Sequence, residues 1–115
     1  MKITVVYNPA AGGGREKLLC RFVAELEKQG ARVRLYHTRG PGDAIEYLQG
    51  LDEQGDCVVA VGGDGTTNEV LNGLAPGVAL GVFATGTANV LAKELQLPRT
   101  PELAAQIVVN GKNVP

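Results

Sequence analysis

The sequence predicts an α/β fold: a doubly wound, mostly parallel, Rossmann-like sheet in three αβα layers. Three observations carry this expectation. Strand-like apolar runs alternate with segments of helical period along the whole chain. The links between them are short. Glycine makes up 16 of 115 residues, about twice the usual share of ~7%, and it gathers where the apolar runs end. Alternation with short links gives parallel strands joined by right-handed crossovers. The first and third strands are expected side by side at the sheet centre.

Each element has its own warrant. ITVVYN (Ile3–Asn8) is a short β-branched run of the buried-strand type. From Arg15 to Gln29, Leu18, Leu19, Phe22, Val23 and Leu26 share one helical face, and Gly30 supplies a left-handed stop. ARVRLYHT alternates, with Val33 and Leu35 on one side and Arg32 and Arg34 on the other. That pattern suits a strand exposed on one face or at an edge. Pro41 and Asp43 open a short helix carrying Ala44, Ile45 and Leu48. CVVAVG (Cys57–Gly62) is continuously apolar and is the candidate for the sheet centre. A helix is expected from about Thr66 to Gly73, then a fourth strand in VALGVFA. GTANVLAKEL starts a further helix with Val90, Leu91 and Leu95 inward, and Thr100 and Pro101 cap and open ELAAQIVV. No repeat, low-complexity stretch or linker interrupts this single domain. NGKNVP at the end reads as the opening of another strand, so the chain is expected to be cut short there.

Bulk properties exclude several classes. Apolar residues make up 44% and charged residues 20%, with net charge −1. This is a soluble globular composition. No broad cationic field exists for duplex nucleic acid or for a strongly basic membrane-docking surface. No apolar run approaches the roughly 20 residues of a membrane span, so the expected location is cytoplasmic. Cys20 and Cys57 read as small buried hydrophobes in a reducing compartment, with a disulfide the minor alternative.

Ligands in such sheets bind outside the carboxyl ends of the strands, where the crossover direction switches. Three glycine-rich turns converge there: NPAAGGG, GGDGT and ATGT. Glycine lets an anion approach the backbone, and a helix N-terminus then favours phosphate. Neither the Walker A pattern nor the dinucleotide G-x-G-x-x-G is present. Asp64, between glycines, could hold Mg²⁺ or take a proton from an attacking hydroxyl; it equally suits a helix N-cap. Thr66 and Thr67 could donate to phosphate oxygens or cap the helix. Asn68 and Glu69 fall in its first turn, where an acid suits the helix dipole. Asn89 could bond a ligand or tie two loops. His37 reads as a surface or half-buried residue. Tyr7, Tyr36 and Tyr47 read as packing residues.

These motifs resemble the diacylglycerol kinase catalytic domain family, in particular bacterial lipid kinases of the diacylglycerol and sphingosine kinase group. YNPAAGGG, GGDGTTNEVLNGL and GTANVLAKEL carry the resemblance in register, and HTRGPGDA adds a weaker match. GGDGT alone is shared with NAD kinases and phosphofructokinases; the continuation NEVLNG and the later motif favour the lipid kinases. Two local departures are Ala84, where the family often has proline, and Val90 after Asn89, where it often has aspartate.

The resemblance implies an ATP-binding lobe. By position, nucleotide contacts fall on Asn8, Pro9, Ala10, Ala11, Gly12, Thr38, Gly63, Asp64, Gly65, Thr66, Thr67, Asn68, Glu69 and Thr87. Asp64 matches the motif's acid, serving metal or acceptor activation. The implied reaction transfers the γ-phosphoryl group of ATP to a lipid hydroxyl, with Mg²⁺ neutralising charge. Family enzymes carry a second, mostly β domain that meets the acceptor at the membrane, so this chain is expected to be incomplete for catalysis alone. Two alternatives remain: an NAD-kinase-like lobe, and a free-standing non-catalytic nucleotide-binding or interaction module whose exposed face forms a homodimer surface or binds a partner.

Overall fold

The computed structural model describes residues 1–9, 15–84 and 100–110. Within them the order is β1 (Lys2–Tyr7), α1 (Arg15–Lys28), β2 (Arg32–His37), α2 (Asp43–Gln49), β3 (Cys57–Gly62), α3 (Asp64–Gly73), β4 (Ala79–Ala84) and α4 (Pro101–Val109). The four strands form one sheet in the order β2-β1-β3-β4. Every neighbouring pair is parallel. The first and third strands do lie side by side at the centre.

The continuous apolar runs split by parity. Val5, Tyr7, Val59 and Val61 face α1 and α4, while Val6, Val58 and Ala60 face α2 and α3. A strand covered by helices on both faces has no polar side, which is why β3 reads as an unbroken hydrophobic stretch and the buried part of β1 as one broken only by Thr4. α1 contributes Leu19, Phe22 and Leu26, all at most 3% exposed. Phe22 stacks on Phe83 at 4.8 Å between ring centres. Each fully buried side chain of this size contributes roughly 1.5–3 kcal/mol. α4 can approach β4 closely because Gly81 carries no side chain; a Cβ there would stand 3.1 Å from both Val108 and Val59.

The second core is closed from below by a polar clamp. Gln54 is 6% exposed. Its Nε2 donates to the carbonyls of Leu48 (3.0 Å) and Gly73 (2.9 Å), and its Oε1 accepts from the Ala75 N–H (2.9 Å). The C-terminal ends of α2 and α3 are thereby fastened together. The Thr4 hydroxyl donates to the Gln54 carbonyl at 2.6 Å and ties the clamp to β1.

β2 lies at the sheet edge, as its alternation suggested, and Leu35 is 39% exposed because α1 covers that face only in part. Three expectations need correction. Cys20 is exposed and only Cys57 is buried; Cys20 lies on the outer side of α1, off the Leu19–Phe22–Leu26 face. α3 starts at Asp64, two residues before the expected Thr66. Thr100 occupies the N-cap of α4 with Pro101 following, as expected, but its side chain makes no cap hydrogen bond. The helix expected in GTANVLAKEL and the strand opening in NGKNVP lie outside the described residues, except for Asn110.

Candidate functional site

The chain leaves β1 toward the α1 face and leaves β3 toward the α3 face, and these two strands are neighbours. Their diverging exits open a crevice at the carboxyl end of the sheet. There the structure holds a cleft of about 300 Å³ lined by Asn8, Pro9, Thr38, Arg39, Gly40, Pro41, Gly65, Thr66 and Glu69. A second hollow of about 240 Å³ lies by the amino ends of β1 and β2, around Lys2, Arg34 and Glu53. Three of its charged residues are engaged within the protein: Lys2 pairs with Glu53 at 3.4 Å, and Arg34 donates to the Glu53 carbonyl at 3.2 Å. Charged side chains on an edge strand also guard it against pairing with another chain.

Three strand exits build the cleft. After β1, the Asn8 N–H reaches the Val61 carbonyl (3.4 Å), which keeps the exit against β3. After β2, the Thr38 N–H donates to the Tyr7 carbonyl at 2.9 Å, and Thr38 is 7% exposed. After β3, Gly62 adopts φ +150°, and a Cβ there would stand 2.9 Å from the Thr66 hydroxyl. Glycine at position 62 is thus required by the fold. It lets β3 turn directly into α3.

The N-cap of α3 is Gly63, not Asp64. Asp64 is the first helical residue and is exposed. Thr66 and Thr67 are buried, and the Thr67 hydroxyl donates back to the Gly63 carbonyl at 3.2 Å. With the helix starting at 64, Asn68 and Glu69 fall in its second turn. Glu69 does not serve the dipole of its own helix. Its Oε1 accepts the Gly42 N–H at 3.0 Å, at the start of α2.

The loop after β2 contributes more than the sequence suggested. Asp43 accepts from the Tyr36 hydroxyl (2.7 Å), the Arg39 N–H (2.8 Å) and the Arg39 guanidinium (3.4 Å). The Tyr36 bond, followed by the Arg39 N–H, holds the Asp43 carboxyl below its ordinary value; the same bond raises the Tyr36 phenol. Tyr36 stacks on Tyr47 at 3.7 Å, so both are packing residues as expected. His37 is exposed and meets the edge of Tyr7. Arg39, Gly40 and Pro41 line the cleft although none was proposed from sequence as a ligand contact. Their signal was the position of RGP directly after a strand.

Of the sequence-proposed contacts, Asn8, Pro9, Thr38, Gly65, Thr66 and Glu69 line one cleft. Gly63 and Asp64 flank it at the start of α3. Thr67 is turned into its own helix, and Asn68 is exposed outside the lining residues. Ala10, Ala11, Gly12, Thr87 and Asn89 lie outside the described residues.

Known proteins converge on one group. A diacylglycerol kinase of Bacillus subtilis is 39% identical over 93% of this chain, and one of Staphylococcus carnosus is 34% identical over 96%. The chain spans only 37% and 38% of those relatives' lengths. A crystal structure of a diacylglycerol kinase from Bacillus anthracis superposes with a TM-score of 0.80 at 32% identity, over 96% of this chain and 40% of that one. The sequence profile of the diacylglycerol kinase catalytic domain matches residues 2–115. The chain therefore belongs to the diacylglycerol kinase catalytic domain family.

Proposed function

We propose that the crevice is a nucleotide phosphate site, and that the chain is the ATP-binding lobe of a lipid kinase. Such an enzyme moves the γ-phosphoryl group of ATP to the hydroxyl of a diacylglycerol-like acceptor. One observation carries the reading. Among the described glycines, only Gly40, Gly63 and Gly65 combine ordinary backbone angles with open space where a Cβ would stand. The fold needs glycine at none of the three. All three stand around the crevice. A ligand that must reach main-chain N–H groups does need it there.

In this reading the phosphates lie over the first turn of α3, whose leading N–H groups have no acceptor within the helix. Asn8, Pro9, Thr38 and the residues Gly63 to Thr66 surround them. Asp64 offers an exposed carboxylate beside that turn. Mg²⁺ is commonly held by one or two carboxylates together with phosphate oxygens and water. Among the described residues no group of three acids, histidines or cysteines forms an all-protein cage, which fits that donor set. Mg²⁺ bound there would neutralise charge on the transferred group. Asp64 then either holds the metal or receives the acceptor's proton.

The acceptor class follows from the relatives' name. The length those relatives have beyond the matched region is proposed to carry the acceptor surface. Among the described residues no helix is long and apolar enough to cross a membrane. A cytoplasmic protein meeting its lipid at the inner membrane face suits this reading.

The test is a titration of this chain with ATP and Mg²⁺, run beside Gly65→Ala. Alanine at a helical position without steric conflict should stabilise α3 by about 0.5–1 kcal/mol. The same methyl group should weaken ATP about tenfold by crowding the phosphate approach. A wild-type chain that ignores ATP would sink the reading. So would a stabilised Gly65→Ala with unchanged affinity.

A further inference from the structure

The start of α2 is short of a cap. Its N-cap residue is Gly42, which adopts φ +82° and has no side chain to offer. Helix N-termini leave N–H groups without partners, and a side-chain oxygen ordinarily answers one of them. Here Glu69 does so from the neighbouring helix, its Oε1 accepting the Gly42 N–H at 3.0 Å. The two residues are 27 positions apart. This bond joins α3, whose Gly65, Thr66 and Glu69 line the cleft, to the residue that follows Thr38–Pro41, which line it from the loop after β2. The other end of that segment is pinned by Asp43 through the Arg39 N–H at 2.8 Å.

We infer that Glu69 is a positioning residue. It caps α2 from α3 and fixes the width of the cleft, so its carboxylate works on the protein and not on the nucleotide or its metal. For its affinity readout the inference rests on the nucleotide reading above; for its structural readout it does not. The two roles make different chemical demands. Accepting an N–H requires an oxygen at the right place and no charge. Binding Mg²⁺ or removing a proton requires the carboxylate itself. Glutamine keeps the first property and loses the second.

The experiment compares wild type, Glu69→Gln and Glu69→Ala in this 115-residue chain by two measurements. One is hydrogen exchange at the Gly42 amide. The other is ATP affinity in Mg²⁺. The Gln variant should keep Gly42 protected and hold ATP affinity within about twofold, whereas Ala should lose the protection and weaken ATP about tenfold. If Gln weakens ATP as much as Ala while Gly42 stays protected, the carboxylate acts on the ligand and the inference falls. It also falls if Ala leaves Gly42 exchange unchanged. Should Ala not fold, Gln decides alone: loss of either protection or affinity overturns the assignment. If the wild-type chain binds no ATP, the nucleotide reading fails, and the Gly42 exchange of the two variants still tests the cap.

Discussion

At the scale of single residues, the N-cap that was one of two alternative readings of Asp64 belongs to its neighbour Gly63. Gly63 takes the N-cap, with φ −97° and ψ −166°. Asp64, one step later, is exposed within the first turn. An exposed acid in the first turn gains roughly 0.3–1 kcal/mol from the helix dipole. Asparagine keeps the size of aspartate and one side-chain oxygen, so Asp64→Asn should lower unfolding free energy by about that amount. It should also remove most of the Mg²⁺ dependence of ATP affinity, measured by titration with and without the metal. A large stability loss with intact Mg²⁺ dependence would return Asp64 to a purely structural role. The sequence could not separate the two readings, because glycine and aspartate are both accepted at N-caps and stand next to each other in GGDGT. It did show which residue types gather there. That was enough to place the cleft, because β1 and β3 had to be neighbours and both exits are glycine-rich.

At the scale of elements, helix and strand identities were legible because two-sided burial leaves a continuous apolar run and one-sided burial leaves a stripe. What escaped is what periodicity does not encode. Gln54 lies in LDEQGD, a stretch that reads as a solvated link, yet it joins the ends of two helices. Glu69 reads as an ordinary helical acid, yet its partner is 27 residues earlier. Such contacts belong to tertiary structure alone. The Gln54 clamp is expected to matter far more than the more conspicuous ion pair between Arg21 and Glu102 at 2.6 Å. That pair is solvent-exposed, and pairs of this kind contribute about 0.2–1 kcal/mol. Gln54→Ala leaves the Leu48 carbonyl with the Leu51 N–H at 3.2 Å but strands the buried Gly73 carbonyl and the Ala75 N–H, each costing about 1–3 kcal/mol where water cannot replace the partner. Partial hydration should bring the total to roughly 2–4 kcal/mol. Urea unfolding of the two variants, Gln54→Ala and Arg21→Ala, checks the order. An equal or larger loss for Arg21→Ala would contradict the clamp.

At the scale of the whole molecule, acidic groups shifted in opposite directions bound the pH range of full stability. Asp43 is lowered from 3.8, first by the Tyr36 hydroxyl, and Glu102 is lowered from 4.5, first by the Arg21 side chain. A depressed carboxyl adds stability that is present above its unfolded value and lost as pH falls through its folded value. For these two groups the loss begins as pH enters the ordinary carboxylate range and is complete only below their depressed folded values. Cys57 behaves in reverse. Burial between β1 and β4 pushes its thiol from 9.0 to about 12. The folded chain keeps a proton that the unfolded chain releases. The stability this thiol contributes is complete below about pH 9 and is lost as pH rises from there toward about 12. Other groups also titrate in alkali, so the signal must be taken as a difference. Cys57→Ala should be less stable than wild type by a gap that is constant from about pH 6 to 8 and narrows above about pH 9, because the variant has no thiol to ionise on unfolding. Urea midpoints at fixed m-value measure that gap. A gap that stays constant to about pH 11 would mean that the thiol ionises equally in both states, and that the centre of the sheet is open to water.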